Sequence, residues 1–240
     1  MIVGKKGRTL KRFYEKVTVE KAEDYFTVAL DGRSMRTPGM NALSLTTEKL
    51  ANNIASEWRE QDATIKPDKM PLMSLAATAI DRVAPQKMEV IKSVVAYGET
   101  DLLCYRAFEP EELVARQNKK WQPLLDWAKK AIGAELHVTG GIMPLEQPLK
   151  SIKAIRDKIT HYDAFNLTGL HELTAISGSL IIGLAVMEDH IDINEGVQAA
   201  QLDGLYQLER WGDDPELMLT LQNSRREMGD VFNFIGLLKV

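Results

Sequence analysis

The chain has 240 residues, enough for one large domain or two small ones. With 45% apolar and 27% charged residues it is neither disordered nor fibrous. Its net charge of −4 gives no polycation character for nucleic acid to exploit, and a lone cysteine, Cys104, excludes an internal disulfide framework or a CxxC metal site.

Near the start stand Lys5, Lys6, Arg8, Lys11 and Arg12, with no apolar stretch behind them. This does not read as a secretory signal, and it is short and serine-poor for a transit peptide. The expected compartment is the reducing cytoplasm of a bacterium, with the mitochondrial matrix as the alternative for a processed eukaryotic chain. Strands are expected next, at residues 16–19, 25–30 and 33–37. Asp31-Gly32 between the last two suits a two-residue hairpin turn, whose central positions need positive φ. Pro38-Gly39 ends the strand pattern.

Helical periodicity then takes over. Thr46 or Thr47 can cap a helix striped by Leu50, Ile54 and Trp58. Leu72, Leu75, Ala76, Ala79, Ile80 and Val83 make a second stripe, and Met88, Ile91, Val94 and Val95 a third. Pro110 with Glu111 and Glu112 opens another helix, which Pro123 is expected to kink or split and Gly133 to end. Residues 135–139 read as one more short strand, closed by Gly140-Gly141. Pro148 opens a helix through Ile152, Ile155 and Ile159. Asn166 is expected to cap a buried helix, and the run 175–187, too short to span a bilayer, reads as part of it. Asn194 is expected to cap a helix carrying Val197, Ala200, Leu205 and Leu208. Asp213 or Asp214, ahead of Pro215, starts the last one. The fold class is therefore α+β: a small β-rich N-terminal domain (residues 1–75) followed by an α-helical C-terminal bundle (76–240).

Few residues suggest chemistry. His171-Glu172 resembles the start of a zinc-protease helix, but position 175 is alanine instead of the second histidine. Ser177-Gly178-Ser179 is placed inside a helical run, where small residues let two helices approach. Gly140-Gly141 is too short for a phosphate loop, and Cys104 reads as structural. Asp31, Arg33, Arg36, Asp81, Arg82, Asp101 and Arg106 are charges in otherwise apolar stretches, and are expected to form ion pairs locking the β unit onto the helices. A small-molecule enzyme using Asp81 and Asp101 at the domain junction is the competing reading. Between Glu188 and Glu216 there are nine acidic residues and one basic residue, Arg210. Trp211-Gly212 lies among them. An acidic rim around a tryptophan has the composition of a protein-docking surface, while solvated helix caps and a core tryptophan are the plainer alternative.

Residues spread along the chain then carry a resemblance. They include Arg12-Phe13-Tyr14, Leu30-Asp31-Gly32-Arg33 with Arg36-Thr37-Pro38, and Glu57-Trp58 through Gln61, Ile65, Pro67 and Met70-Pro71-Leu72. Thr78-Ala79-Ile80-Asp81, Thr100-Asp101-Leu102-Leu103-Cys104-Tyr105-Arg106, Gln117, Trp121, Pro123-Leu124 and Trp127 continue it. Ser177-Gly178-Ser179, Gln207, Glu209 and Trp211-Gly212 complete it. In this order they resemble the assembly chaperones that bind the alpha subunit of the F-type ATP synthase catalytic head. The resemblance implies a β-containing N-terminal domain and a helical C-terminal domain, with no catalysis and no cofactor; the scattered histidines offer no metal site. It implies binding to the free alpha subunit until the beta subunit replaces the chaperone. It further implies a functional acid shortly before the Gln-x-x-x-Trp-Gly stretch, where Asp203 stands, although Gly204 and Leu205 occupy places where the family pattern carries more acid. The candidate partner-binding residues are thus Asp203, Gln207, Glu209, Trp211 and Asp213, on a monomer that neither binds nucleic acid nor inserts into a membrane.

Overall fold

The computed structural model describes residues 10–141 and 145–239. The basic residues Lys5, Lys6 and Arg8 lie outside the described residues. The chain is α+β, with a small antiparallel sheet followed by a helical array.

Strands β1 (Val17–Lys21), β2 (Phe26–Leu30) and β3 (Arg33–Ser34) form the sheet in that order. Val17 pairs with Leu30 and Lys21 with Phe26, so alternate residues of β1 meet β2 in one register. Asp31 and Gly32 both have positive φ, 49° and 75°, as the hairpin between β2 and β3 requires. The Asp31 carboxylate also accepts the backbone N–H groups of Glu15 (3.1 Å) and Lys16 (2.7 Å), fastening the start of β1 to the turn. The third strand is shorter than its pattern suggested. After Ser34 only an isolated Arg36–Ala42 bridge persists, because Pro38-Gly39 and a left-handed Met40 (φ 64°) fold the chain back on itself.

Helix α1 (Glu48–Arg59) is capped by Thr47, whose Oγ1 accepts the Leu50 N–H, and buries Leu50, Ile54 and Trp58. A short 3₁₀ turn (Pro67–Lys69) leads to α2 (Pro71–Thr78), which lacks a capping side chain of its own. The carboxylate of Glu57 supplies the missing acceptor from α1, taking the N–H groups of Leu72 (2.7 Å) and Met73 (2.8 Å). A π-type turn (Ala79–Val83) and a 3₁₀ turn (Ala84–Gln86) then join α2 to α3 (Lys87–Glu99). Met88 departs from the expected stripe; it stands exposed at the start of α3.

The remaining strands β4 (Tyr105–Arg106) and β5 (Thr139–Gly140) pair in parallel. This corrects the expected strand at residues 135–139. The backbone of residues 135–138 forms no ladder, and Gly140, expected as a closing turn, is itself paired. Between them α4 (Glu111–Ile132) runs unbroken through Pro123. Pro123 does not split the helix because it sits on the exposed face, where the carbonyl it leaves unbonded can be hydrated. Gly133 ends α4 in the left-handed conformation (φ 80°).

Among the described residues, α5 (Leu149–Thr160), α6 (Ala164–Ser177), α7 (Leu180–Met187), α8 (Ile193–Ala200) and α9 (Leu202–Trp211) follow, and the long α10 (Pro215–Leu238) comes last. The cap of α6 is Asp163 and not Asn166. Its carboxylate takes the Asn166 N–H at 2.8 Å, and an anion is the better acceptor against the helix dipole. Likewise Asp192, in a capping box with Glu195, starts α8 in place of Asn194. That helix stops at Gln201, whose amide donates to the Leu221 carbonyl and Ser224 Oγ on α10, so Leu205 and Leu208 belong to α9. Ser177-Gly178-Ser179 breaks the apolar run: Gly178 (φ 72°) ends α6, and Ser179 Oγ accepts the Ile182 N–H to start α7. Every residue of α7 is buried. Helix α10 packs on α6, α2 and α1 and so ties the early and late helices to one continuous core.

Candidate functional site

Asp203, Gln207 and Trp211 recur every fourth residue on α9 and therefore share a face. That face forms one wall of a cleft of about 440 Å³. The facing wall comes from the segment 105–110 that enters α4, and from α4 itself, with Arg106, Pro110, Leu113 and Gln117. Gly212 turns the chain at positive φ (87°) and donates its N–H to the Leu208 carbonyl. Asp214 then caps α10 by accepting the N–H groups of Glu216 and Leu217. This corner leaves Trp211 at the cleft's edge with 79% of its surface exposed. The core reading of Trp211 is thereby overturned: among the described residues, no element covers the corner after the chain reverses.

The cleft is held together by buried polar groups from α4. Gln117 is 1% exposed. Its carbonyl oxygen accepts the Ala107 N–H and its amide donates to Asp203 Oδ1, both at 2.8 Å. One side chain thus fixes both the loop wall and the acid. Arg106, also buried, donates to the Asn118 and Gln122 side-chain oxygens and to the Leu103 carbonyl. Burial lowers its pKa, yet a guanidinium stays charged at any physiological pH. Tyr206 is 3% exposed, and its hydroxyl finds no partner among the described residues. Phe108, exposed beside this wall, lies so close over Gly140 and Gly141 that a Cβ at either would sit 2.5 Å from its ring.

Glu209 and Asp213 do not join the cleft lining. Glu209 pairs with Arg116 of α4 at 2.5 Å, and Arg116 also takes Glu112 and lies over the Tyr206 ring. Asp213 follows the Gly212 turn and is exposed to solvent. Most of the acidic run is committed locally. Glu188 binds Lys158 and Tyr162, Asp189 binds Lys239, and Asp192, Glu195 and Asp214 serve as caps. The sequence reading missed Arg106, Gln117, Tyr206 and Arg210 as cleft residues. A buried-looking arginine within 100–106 was the only local signal.

Among the described residues, the charges in apolar stretches do not make the expected ion pairs: Asp31, Asp81, Asp101 and Arg106 act as hydrogen-bonding clamps, Arg36 donates to the Met40 carbonyl, and Arg33 and Arg82 stay exposed. Asp81 accepts Thr37 Oγ1 (2.6 Å), the Gly39 N–H (2.7 Å) and Asn41 Nδ2 (2.8 Å), pinning the 37–41 turn to the π-type turn. A carboxylate with three neutral donors needs no cation. Asp101 is fully buried under α7, where it accepts Ser179 Oγ and the N–H groups of Leu103 and Ile181. Burial pushes its carboxyl up to about 6, against the opposing pull of those donors. Asp81 lines a different groove, so the two aspartates imagined at one junction site do not share a cavity. Cys104 is buried, and burial together with the Asp101 charge pushes its thiol up to about 12. His171 contacts Glu172 and His190 stacks on Trp127. No cluster of three metal-ligating side chains occurs among the described residues.

Two crystal structures of Atp12 from Paracoccus denitrificans, one of them a mutant with lysine in place of an aspartate, superpose on this chain with a TM-score of 0.92. They are 40% identical to it, and the match covers 96% of this chain and 98–99% of theirs. The chain belongs to the ATP12 chaperone family. The family profile, described as ATP12 chaperone protein, matches residues 11–129, from before the strands into the last turn of α4. The α9 wall lies beyond that span, so its kinship rests on the whole-chain likeness to the ATP12 structures. The mitochondrial protein ATP12 of Saccharomyces cerevisiae is 25% identical over 86% of this chain and 78% of its own length. A protein of Agrobacterium tumefaciens described as a candidate chaperone is 37% identical, with a TM-score of 0.90 over 95% of this chain and 86% of its own. Among the described residues, no helix of this ATP12 relative is long and apolar enough to cross a membrane.

Proposed function

We propose that this chain binds the free alpha subunit of the F-type ATP synthase catalytic head during assembly, covers the surface meant for beta subunits, and is displaced when beta arrives. It does so as a monomer, without catalysis or a cofactor, in the bacterial cytoplasm or, for a eukaryotic chain, the mitochondrial matrix. Membership of a chaperone family supports the class of function. One observation carries the site: Trp211, 79% exposed, rims a cleft that also holds Asp203 and Gln207.

The physics is that of interface burial. An isolated subunit that exposes a large apolar patch aggregates, and a protein that covers the patch keeps it soluble. A tryptophan at the edge of a polar-lined cleft can insert into such a patch, and truncating an interface anchor of this kind costs about 2–4 kcal/mol. Asp203, held by Gln117, presents its remaining oxygen to the partner and fixes orientation. Mixing purified chain with refolding alpha subunit tests this by light scattering and by pull-down. The chain should suppress aggregation, while Trp211→Ala and Asp203→Lys should weaken capture with circular dichroism unchanged. Equal aggregation with and without the chain refutes the function. Undiminished capture by both variants refutes the site.

A further inference from the structure

A second, larger groove of about 1040 Å³ lies on the N-terminal unit, away from α9. Its floor is apolar: Tyr14, Trp58, Met70 and Met73 are each buried to the last 4–9% of their surface, and Ala77 closes one wall. At its lip Leu10 and Phe13 are exposed by 52% and 65%, large apolar side chains with nothing over them among the described residues. Met35 adds a third methionine to the lining, and unbranched thioethers conform to partners of varied shape. The volume stands at the upper end of what ligand sites offer, roughly 300–1,000 Å³, and leaves room for several side chains of a polypeptide.

The rim has a consistent polarity. Its carboxylates are spent: Asp31 on the Glu15 and Lys16 N–H groups, Asp81 on Thr37, Gly39 and Asn41. Its arginines are available: Arg33 and Arg82 are exposed and form no ion pair among the described residues, and Arg36 only donates to the Met40 carbonyl. The charge of Asp31 lies beside Arg33 and that of Asp81 beside Arg82, so the arginines Arg33, Arg36 and Arg82 leave the edge rich in donors with a small cationic excess. A second feature points the same way. The indole N–H of Trp58 is buried with no acceptor among the described residues, although Trp58 lines the groove.

We propose that this groove is a second client-docking surface that takes an apolar polypeptide segment flanked by glutamate or aspartate. Leucine- or phenylalanine-type side chains seat over Trp58, Met70 and Met73, and the flanking carboxylates meet Arg33 and Arg82. This rests on the chaperone reading above, and gives the molecule two contact points on one client.

The experiment uses full-length chain and two labelled synthetic peptides with the same leucine- and phenylalanine-rich centre, one ended by glutamates and one by lysines. Fluorescence anisotropy measures binding, and a photoreactive phenylalanine in the peptide locates it by mass spectrometry. The glutamate-ended peptide should bind at least about tenfold tighter than the lysine-ended one and cross-link near Phe13 or Met73. Arg33→Glu with Arg82→Glu should erase or reverse that preference, and Ala77→Trp should block both peptides. Trp211→Ala should leave them unaffected. Equal binding of the two peptides, cross-links confined to α9, or no effect of the paired arginine substitutions overturns the proposal. So does a concentration-dependent dimer that Ala77→Trp abolishes, since the occupant is then a second copy. Because the assay contains no alpha subunit, its failure sinks the groove alone; failed alpha capture with intact peptide binding sinks only the proposed client.

Discussion

Replacing Gln117 by glutamate tests whether this residue orders the α9 cleft. The Ala107 N–H can still donate to the new carboxylate, so the loop wall keeps its bond. The other contact inverts, because an amide donor 2.8 Å from Asp203 Oδ1 becomes a second anion. Two unit charges at that distance repel by about 6 kcal/mol at an effective dielectric of ~20, an upper bound. Asp203 is half-exposed, so solvent and side-chain rotation reduce the expected destabilisation to about 2–3 kcal/mol at pH 8. The cost depends on pH with a definite sign. Two facing carboxylates raise the affinity of one for a proton, so its folded pKa exceeds the ordinary value of about 4.3. The penalty is then complete above the raised pKa and vanishes as pH falls toward the ordinary one. Urea unfolding of Gln117→Glu should therefore lie far below wild type at pH 8 and within about 1 kcal/mol of it at pH 5. Adding Asp203→Asn should restore most of the loss at pH 8, because the asparagine amide can donate to Glu at 117. An equal deficit at both pH values, or no rescue by the second substitution, refutes the contact.

Burial pushes the Glu57 carboxyl up to about 7, with the neighbouring Asp230 charge adding to it, despite the two N–H groups it accepts from α2. A folded pKa above the ordinary one means the ionised form costs stability above pH 7 and that cost fades as pH falls toward 4.5, so Glu57→Gln should flatten the stability profile across this window in urea titrations. Asp101→Asn puts an amide where the Asp101 carboxylate now takes N–H and O–H donors. One donor goes unsatisfied, stability falls by about 1–3 kcal/mol, and the melting temperature should drop by about 2–4 °C for each of these. A Cβ at Gly169 meets Ile235 Cγ1 at 2.6 Å, so Gly169→Ala should cost about 1–3 kcal/mol, and Ile235→Ala in the same chain should cost less than its single effect predicts, read by a double-mutant cycle.

The parts of the fold legible in the sequence are those set by neighbours along the chain. Asp31-Gly32 needs only its own φ angles, and Thr47 and Asp214 cap the helices immediately after them. Stripes such as Leu50, Ile54 and Trp58 follow from helical period alone. The misreadings have local causes too. Asn166 and Asn194 are good caps in general, but each stands just inside a helix that an aspartate had already begun. The run through Ser177 and Ser179 is apolar on every side and so carries no period to betray its break. That break is stabilised by Asp101, 78 residues away from Ser179. The site was half legible. The resemblance named Asp203, Gln207 and Trp211, which line the cleft, along with Glu209 and Asp213, which do not, whereas Gln117 takes its meaning from a partner 86 residues distant. The exposure of Trp211 follows from how the chain turns at Gly212 and not from its residue type.

The hydroxyl of Thr47, which starts α1, donates to the carbonyl of Leu237 near the end of α10, 190 positions later. During synthesis at roughly 5–20 residues per second, the first helix waits on the order of 10–40 s before that acceptor exists, longer if the ribosome still shelters it. For that interval the nascent protein has its early helices without the brace that α10 supplies, and a product cut short loses the brace altogether. The brace on the first helix is thus supplied by the last of the described helices, so α1 reaches its final set of contacts only after α10 has been made.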